Sequence, residues 1–266
     1  MIIFLYFEFC NLNFAFCLYA KGSLGSGTAR LHAPYEDNSS DRGLAVLTLS
    51  TLRKRIIEAY RNGYSVAIHA IGDKAVTNSL QAIASARKTF PGNRRDRIEH
   101  VQLFRESDLT LFRRLGVVAS VQPVHLATDW ATAEKKWGTD RCRTGYAWKS
   151  LLREKIPLQF GSDAPVEPIN PLLGLLAAVT RQDLRGNPPG GWFAGEKLSL
   201  EECLKAFTAL PAWCSRRERY LGVLTPGRLA DLTVFERDLF TLPPRQWLST
   251  KVAMTIVNGE IVHQKK

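Results

Sequence analysis

Residues 64–76 read YSVAIHAIGDKAV. The run from Tyr64 to Ile71 is short and apolar, which predicts a buried strand at 65–70. Gly72 and Asp73 then punctuate it. Ala75, Val76, Leu80, Ile83 and Ala84 follow at helical spacing, so a helix is expected from an Asp73 N-cap to about Lys88. Upstream, STLRKRIIEAYRN at 50–62 reads as a helix stopped by Gly63. Downstream, Pro91-Gly92 is a turn, DRIEHVQ at 96–102 a strand, and Ser107 to Leu115 a helix ended by Gly116. VVASVQ at 117–122 is the next strand, ended by Pro123.

The alternation continues towards the C-terminus. An irregular stretch is expected at 123–144, a helix at about 145–154 and a strand at 157–162. Helices are expected at about 171–182 and 199–210, separated by the loop NPPGGWFAGEK. Strands near 14–20, 65–70, 97–101, 117–122 and 157–161, interleaved with helices, predict an α/β fold with a parallel sheet. The last four strands end in His69, His100, Gln122 with Pro123, and Ser162 with Asp163. In parallel α/β folds the C-terminal strand ends build the active site. After about 220 the pattern becomes short β runs, and Asn258-Gly259 between TIV and EIV predicts a hairpin.

The composition is that of a folded globular chain: 266 residues, 45% hydrophobic and 23% charged. A net charge of +11 admits anionic partners. The basic residues are scattered in short groups such as Arg53-Lys54-Arg55 and Arg94-Arg95, without a basic stripe, which argues against nucleic acid. Five cysteines without a CxxC pair read as reduced, cytosol-type thiols. In residues 1–20 all but Glu8, Asn11 and Asn13 are apolar. A membrane or signal segment is one reading. The interruptions, the missing basic flank and the Phe/Tyr content favour a buried strand or an aberrant start, and a cytoplasmic protein.

His69, His100 and Asp163 are the residues that carry chemistry together. Singly, each histidine reads as structural and Asp163 as an N-cap. Jointly, two imidazoles and a carboxylate from the same ends of successive strands can converge on one ion, and zinc takes such N and O donors. His125 is a candidate to line a pocket and, with Gln122, a candidate substrate contact. His32 and His263 are weaker candidates. Asp73 is either a helix cap or a partner for an imidazole. GSLGSG at 22–27 lacks the lysine and spacing of a phosphate loop.

These stretches resemble the amidohydrolase superfamily, in particular its YtcJ-like branch (amidohydrolase family 3). The matching motifs are GSLGSGTARLHAPYED at 22–37, VAIHAIGDKAV at 66–76, RIEHVQ at 97–102, VVASVQPVH at 117–125 and FGSDAPVEPINPL at 160–172. LGVLTPGRLADLTVFERD at 221–238 and TIVNGEIV at 255–262 extend the likeness to the C-terminus. The resemblance implies a partial metal-dependent (β/α)8 TIM barrel, about strands four to eight, over 16–220. A small β-sandwich appendage follows at 221–266, and 1–15 is an atypical segment. It implies hydrolysis of a non-peptide C–N bond of a small amide-type substrate. His69 is implied as the ligand after strand five, His100 after strand six, and Asp163 as ligand and general base after strand eight.

Two departures from the family pattern bear on this. The family's His-x-His pair is absent, and the matching stretch begins near strand four, so an N-terminally truncated member is expected. FCLYAKG at 16–22 carries Cys17 where relatives have a lysine that bridges two metals. Cys17 is thus a further metal candidate or a buried free thiol. The intact family holds one or two Zn2+ or other divalent ions, and at most one is expected here. The alternative is an inactive remnant or interaction module, and an open barrel edge predicts self-association.

Overall fold

A computed structural model describes residues 2–3, 15–19 and 22–265. The strands are β1 (Ile2–Ile3), β2 (Ala15–Tyr19), β3 (Ser65–Ala70), β4 (Arg97–His100), β5 (Val118–Val121), β6 (Leu158–Phe160), β7 (Leu232–Phe235), β8 (Val252–Val257) and β9 (Glu260–Gln264). The helices are α1 (Leu49–Arg61), α2 (Asp73–Thr89), α3 (Glu106–Leu115), α4 (Pro123–Trp137), α5 (Trp148–Arg153), α6 (Pro171–Thr180), α7 (Leu200–Phe207) and α8 (Ala209–Cys214). The fold is α/β, with a five-stranded parallel sheet in the order β2-β3-β4-β5-β6 and a separate four-stranded antiparallel sheet, β1-β7-β8-β9. The described residues fall into two compact units. One lies within 10–121 and 128–158, the other within 1–9, 122–127 and 159–266.

In the first unit, β2 to β5 run parallel. Paired residues share a sheet face, because side chains alternate along each strand. Leu18 pairs with Ile68, Ile68 with Ile98 and Ile98 with Ala119, and all are buried. This row forms the apolar face. Helices α1 and α2 pack against β3, and α3 packs against α2. Helix α1 begins where the Thr48 hydroxyl accepts the Thr51 N–H at 3.1 Å, and it buries Leu52, Ile56, Ala59 and Tyr60. That spacing is a single helical face. Opposite it, Asp96 is wholly buried and binds Tyr60, Arg87 and the Val66 N–H.

Helix α2 corrects one expectation. Asp73 is its first residue, and Gly72 is the N-cap. A Cβ at Gly72 would lie 2.3 Å from the Arg30 carbonyl oxygen, so the chain cannot approach this closely with any other residue. Asp73 instead accepts the backbone N–H groups of Lys74 and His32, at 2.8 and 2.9 Å.

Three further segments differ from expectation. Helix α4 occupies most of the stretch expected to be irregular, and a short 3-10 turn follows at Arg141–Thr144. Pro123 ends β5, yet proline also suits a first helical position, where its fixed φ is already helical and its missing N–H is not needed. Leu126, Ala133 and Trp137, wholly buried, recur at helical spacing. Helix α5 starts later than expected because Tyr146 has a positive φ of 51°. The helix expected at 199–210 is two helices, broken at Thr208 with φ −124° and ψ −72°. Pro211 has no N–H to give the Phe207 carbonyl, so a continuous helix fails there.

In the second unit, Asn170 caps α6 by accepting the Leu172 N–H at 3.0 Å. Strands β8 and β9 form the expected hairpin, with Asn258 and Gly259 at φ 51° and 86°. Both positive values fit the turn that matches strand twist. Strand β1 pairs antiparallel with β7. The other residues of 1–14, and with them most of the segment read as atypical, lie outside the described residues. Among the described residues no helix is long and apolar enough to cross a membrane.

Candidate active-site residues

The second face of the parallel sheet carries polar side chains. Register places Cys17, Ala67, Arg97 and Val118 in one row, and His69, Glu99 and Ser120 in the next row towards the C-terminal strand ends. Parallel sheets are ordinarily apolar on both faces. On this face Arg97 and Glu99 form an ion pair, and His69 lies beside Glu99 in the register.

His100 reaches His69 against the alternation. It pairs with Ala70, which assigns it to the apolar face. Its φ of 74°, followed by 43° at Val101, departs from extended backbone. The ring meets His69 edge to face, with centroids 4.3 Å apart and an interplanar angle of 67°. Left-handed backbone costs a non-glycine residue roughly 1–2 kcal/mol. Such strain persists only where the surroundings impose it.

His69 is oriented by its own unit. Its Nε2 lies 3.1 Å from the Gly22 carbonyl oxygen. A carbonyl only accepts, so Nε2 carries the proton and Nδ1 the lone pair of the neutral ring. The GSLGSG segment thereby serves as a positioning turn. A Cβ on Gly22, whose φ is 143°, would meet the Thr28 carbonyl oxygen at 2.3 Å. Hydroxyls of Ser23, Ser26 and Thr28 bond one another within the turn, with Ser26 2.7 Å from each of the other two.

In the second unit, His125 stands in the first turn of α4, where its N–H donates to the Gln122 carbonyl at 3.1 Å. Its ring is held between two carboxylates. Nε2 is 3.3 Å from Asp163 Oδ2, and Nδ1 is 3.4 Å from Glu167 Oε1. Asp163 follows β6 in left-handed backbone, φ 61°, and its carbonyl accepts the Val166 N–H at 2.8 Å. This turn sends the two carboxylates to opposite edges of one imidazole. Gln122 is buried, and its Oε1 has no hydrogen-bond partner among the described residues.

The structure thus joins His69 to His100, and His125 to Asp163, each pair within its own unit. Cys17 is half-buried in the row behind His69. His32 has a structural partner: its Nε2 lies 3.1 Å from the Thr77 hydroxyl, which donates to Asp108. Burial lowers the pKa of His32 and raises that of Asp108. His263 is exposed on β9. Asp73 binds backbone N–H groups rather than an imidazole. Glu167 escaped the sequence reading. Its only local signal was a second carboxylate four residues after Asp163, in SDAPVE.

Comparison with known proteins agrees with these motifs. A family model described as "Amidohydrolase family" matches residues 15–263. The chain is 35% identical to the putative amidohydrolase YtcJ of Bacillus subtilis over 93% of its own length and 46% of that protein's. It is 24% identical to the N-substituted formamide deformylase of Arthrobacter pascens, over 79% of the chain and 38% of that protein. A crystal structure of an uncharacterized metal-dependent hydrolase from Pyrococcus furiosus superposes with a TM-score of 0.73 at 34% identity, covering 85% of this chain and 44% of that one. The chain therefore spans about half the length, or less, of the relatives it matches. The motifs on the strand ends and the family match over residues 15–263 agree: the chain belongs to the amidohydrolase family.

Proposed function

We propose that this chain is part of a metal-dependent hydrolase that cleaves a non-peptide C–N bond in a small amide-type substrate. On this reading the parallel sheet is strands four to eight of a (β/α)8 barrel, and the antiparallel sheet belongs to a small β-sandwich. His69 and His100 are imidazole ligands, and Asp163 is carboxylate ligand and general base. The observation that carries the reading is the His69–His100 pair at the C-terminal ends of neighbouring parallel strands, its rings 4.3 Å apart.

The donor set fits a divalent ion such as zinc. Zinc takes neutral imidazole and carboxylate, and the Gly22 carbonyl gives His69 the tautomer a ligand needs. When bound, zinc supplies a Lewis acid that brings the pKa of water towards neutrality. Asp163 accepts the proton of the attacking water and returns it to the leaving nitrogen. Gln122 offers its buried Oε1 to a substrate N–H, and His125 borders the same carboxylate. Cys17 is the additional candidate ligand, since a thiolate also binds zinc.

The test is elemental mass spectrometry of the purified chain beside a His69→Ala/His100→Ala variant, with turnover of N-substituted formamides measured in parallel. We expect about one zinc per chain, none in the variant, and turnover only in the former. Absence of zinc and turnover from both chains would defeat the reading and favour an inactive remnant.

A further inference from the structure

We propose that Glu167 is a positioning residue: it holds the His125 ring, and through that ring the Asp163 carboxylate. The role rests on the assignment of Asp163 as general base. Three observations within the second unit carry it. First, the two ring nitrogens of His125 each face one carboxylate, Nδ1 facing Glu167 at 3.4 Å and Nε2 facing Asp163 at 3.3 Å. Second, the three side chains differ in exposure: 10% for His125, 15% for Glu167 and 35% for Asp163. The ring is the most buried of the three, Glu167 is nearly as shielded, and Asp163 is the one open to solvent. Third, Asp163 sits at φ 61° in the turn closed by the Val166 N–H, so its Cα–Cβ bond leaves the chain in a set direction and the side chain needs a neighbour to hold its rotamer.

The division of labour follows. An imidazole left to itself rotates about its Cα–Cβ and Cβ–Cγ bonds. A carboxylate on Nδ1 stops that rotation and fixes which ring edge points at Asp163, and the ring bonds both carboxylates when it donates from both nitrogens. Asp163 Oδ2 then keeps one fixed neighbour while water and substrate come and go. A base must be held within a fraction of an ångström of the proton it takes, so loosening this support lowers turnover without loosening substrate binding.

The test compares the full chain with Glu167→Ala and Glu167→Gln. Glutamine keeps an acceptor at the same reach, and alanine removes it. One readout needs neither metal nor turnover: the histidine ring N–H correlations of 15N-labelled, metal-free protein, with the His125 signal identified by its loss in His125→Gln. We expect a protected Nδ1–H in the unmodified chain and in Glu167→Gln, lost in Glu167→Ala. In the loaded enzyme Glu167→Ala should lower kcat by about 10- to 100-fold with KM within about twofold, and Glu167→Gln should recover most of the loss. An unchanged His125 signal in Glu167→Ala overturns the proposal. So does an unchanged kcat, or a loss in KM alone. A chain without any turnover defeats the hydrolase reading instead, and the ring signal then decides the anchoring by itself.

Discussion

His69 and His100 meet edge to face with ring centroids 4.3 Å apart, although strand register pairs His100 with Ala70 and so assigns the two imidazoles to opposite sheet faces. The positive φ of 74° at His100 reconciles the two facts. The sheet accepts backbone strain at one residue and gains a second imidazole on its polar face.

That strain is measurable. His100→Gly relieves it, whereas His100→Ala keeps a Cβ at the same φ. The glycine variant should therefore be the more stable of the two by about 1 kcal/mol, read from urea unfolding. Glycine ordinarily destabilises a strand, so equal or reversed stabilities would show that His100 is not strained.

The Asp96 cluster at the far end of the same sheet should dominate stability. Asp96 accepts from the Tyr60 hydroxyl at 2.6 Å and from the Arg87 guanidinium at 2.6 Å, and its other oxygen takes the Val66 N–H at 3.0 Å. Burial and this carboxylate push the Tyr60 phenol pKa upward. Asp96→Ala leaves the half-buried Arg87 guanidinium without its counter-charge and the Tyr60 hydroxyl and Val66 N–H without their acceptor, and should cost about 3 kcal/mol. Tyr60→Phe removes one hydrogen bond and should cost about 1 kcal/mol. Denaturant midpoints check both.

Acid should weaken the chain through His32. Burial lowers its pKa below the ordinary 6.5, with Lys74 and Arg105 adding to the shift and Asp73 and Asp108 opposing it. A depressed pKa means that the folded state prefers the neutral ring. The stability it contributes is complete above pH 6.5 and is lost as pH falls through the lower folded value. His32→Gln, which can still donate to Thr77, should flatten the fall in melting temperature between about pH 7 and pH 5. An unchanged slope would place the acid sensitivity elsewhere.

Thiol chemistry should separate the cysteines. Cys142, Cys203 and Cys214 are buried, and burial pushes the Cys142 thiol up to about 12. Cys17 is half-buried. Among these four, native-state alkylation followed by peptide mapping should label Cys17 first. Prior loading with zinc should slow that labelling if Cys17 is a ligand.

Local pattern decided a good deal. The apolar run before His69 and the helical spacing after Asp73 specified β3 and α2, because strand and helix periods are properties of neighbouring residues. Asn258-Gly259 specified its hairpin for the same reason. Where one residue serves two local rules, the reading failed. Pro123 stops a strand and starts a helix, and only the burial of Leu126, Ala133 and Trp137 decided for α4.

The sequence by itself determined the parallel strands and which strand ends carry His69, His100 and Asp163, while α4 and the break between α7 and α8 needed the packed structure. Tertiary structure alone decided how those side chains face. The inverted backbone at His100, the Gly22 carbonyl on His69, and Glu167 on the far edge of His125 join residues brought together only by packing or by a turn's dihedral sign. Periodicity fixes where along an element a side chain lies. Which neighbour it meets depends on long-range contacts and on φ values that no local pattern encodes.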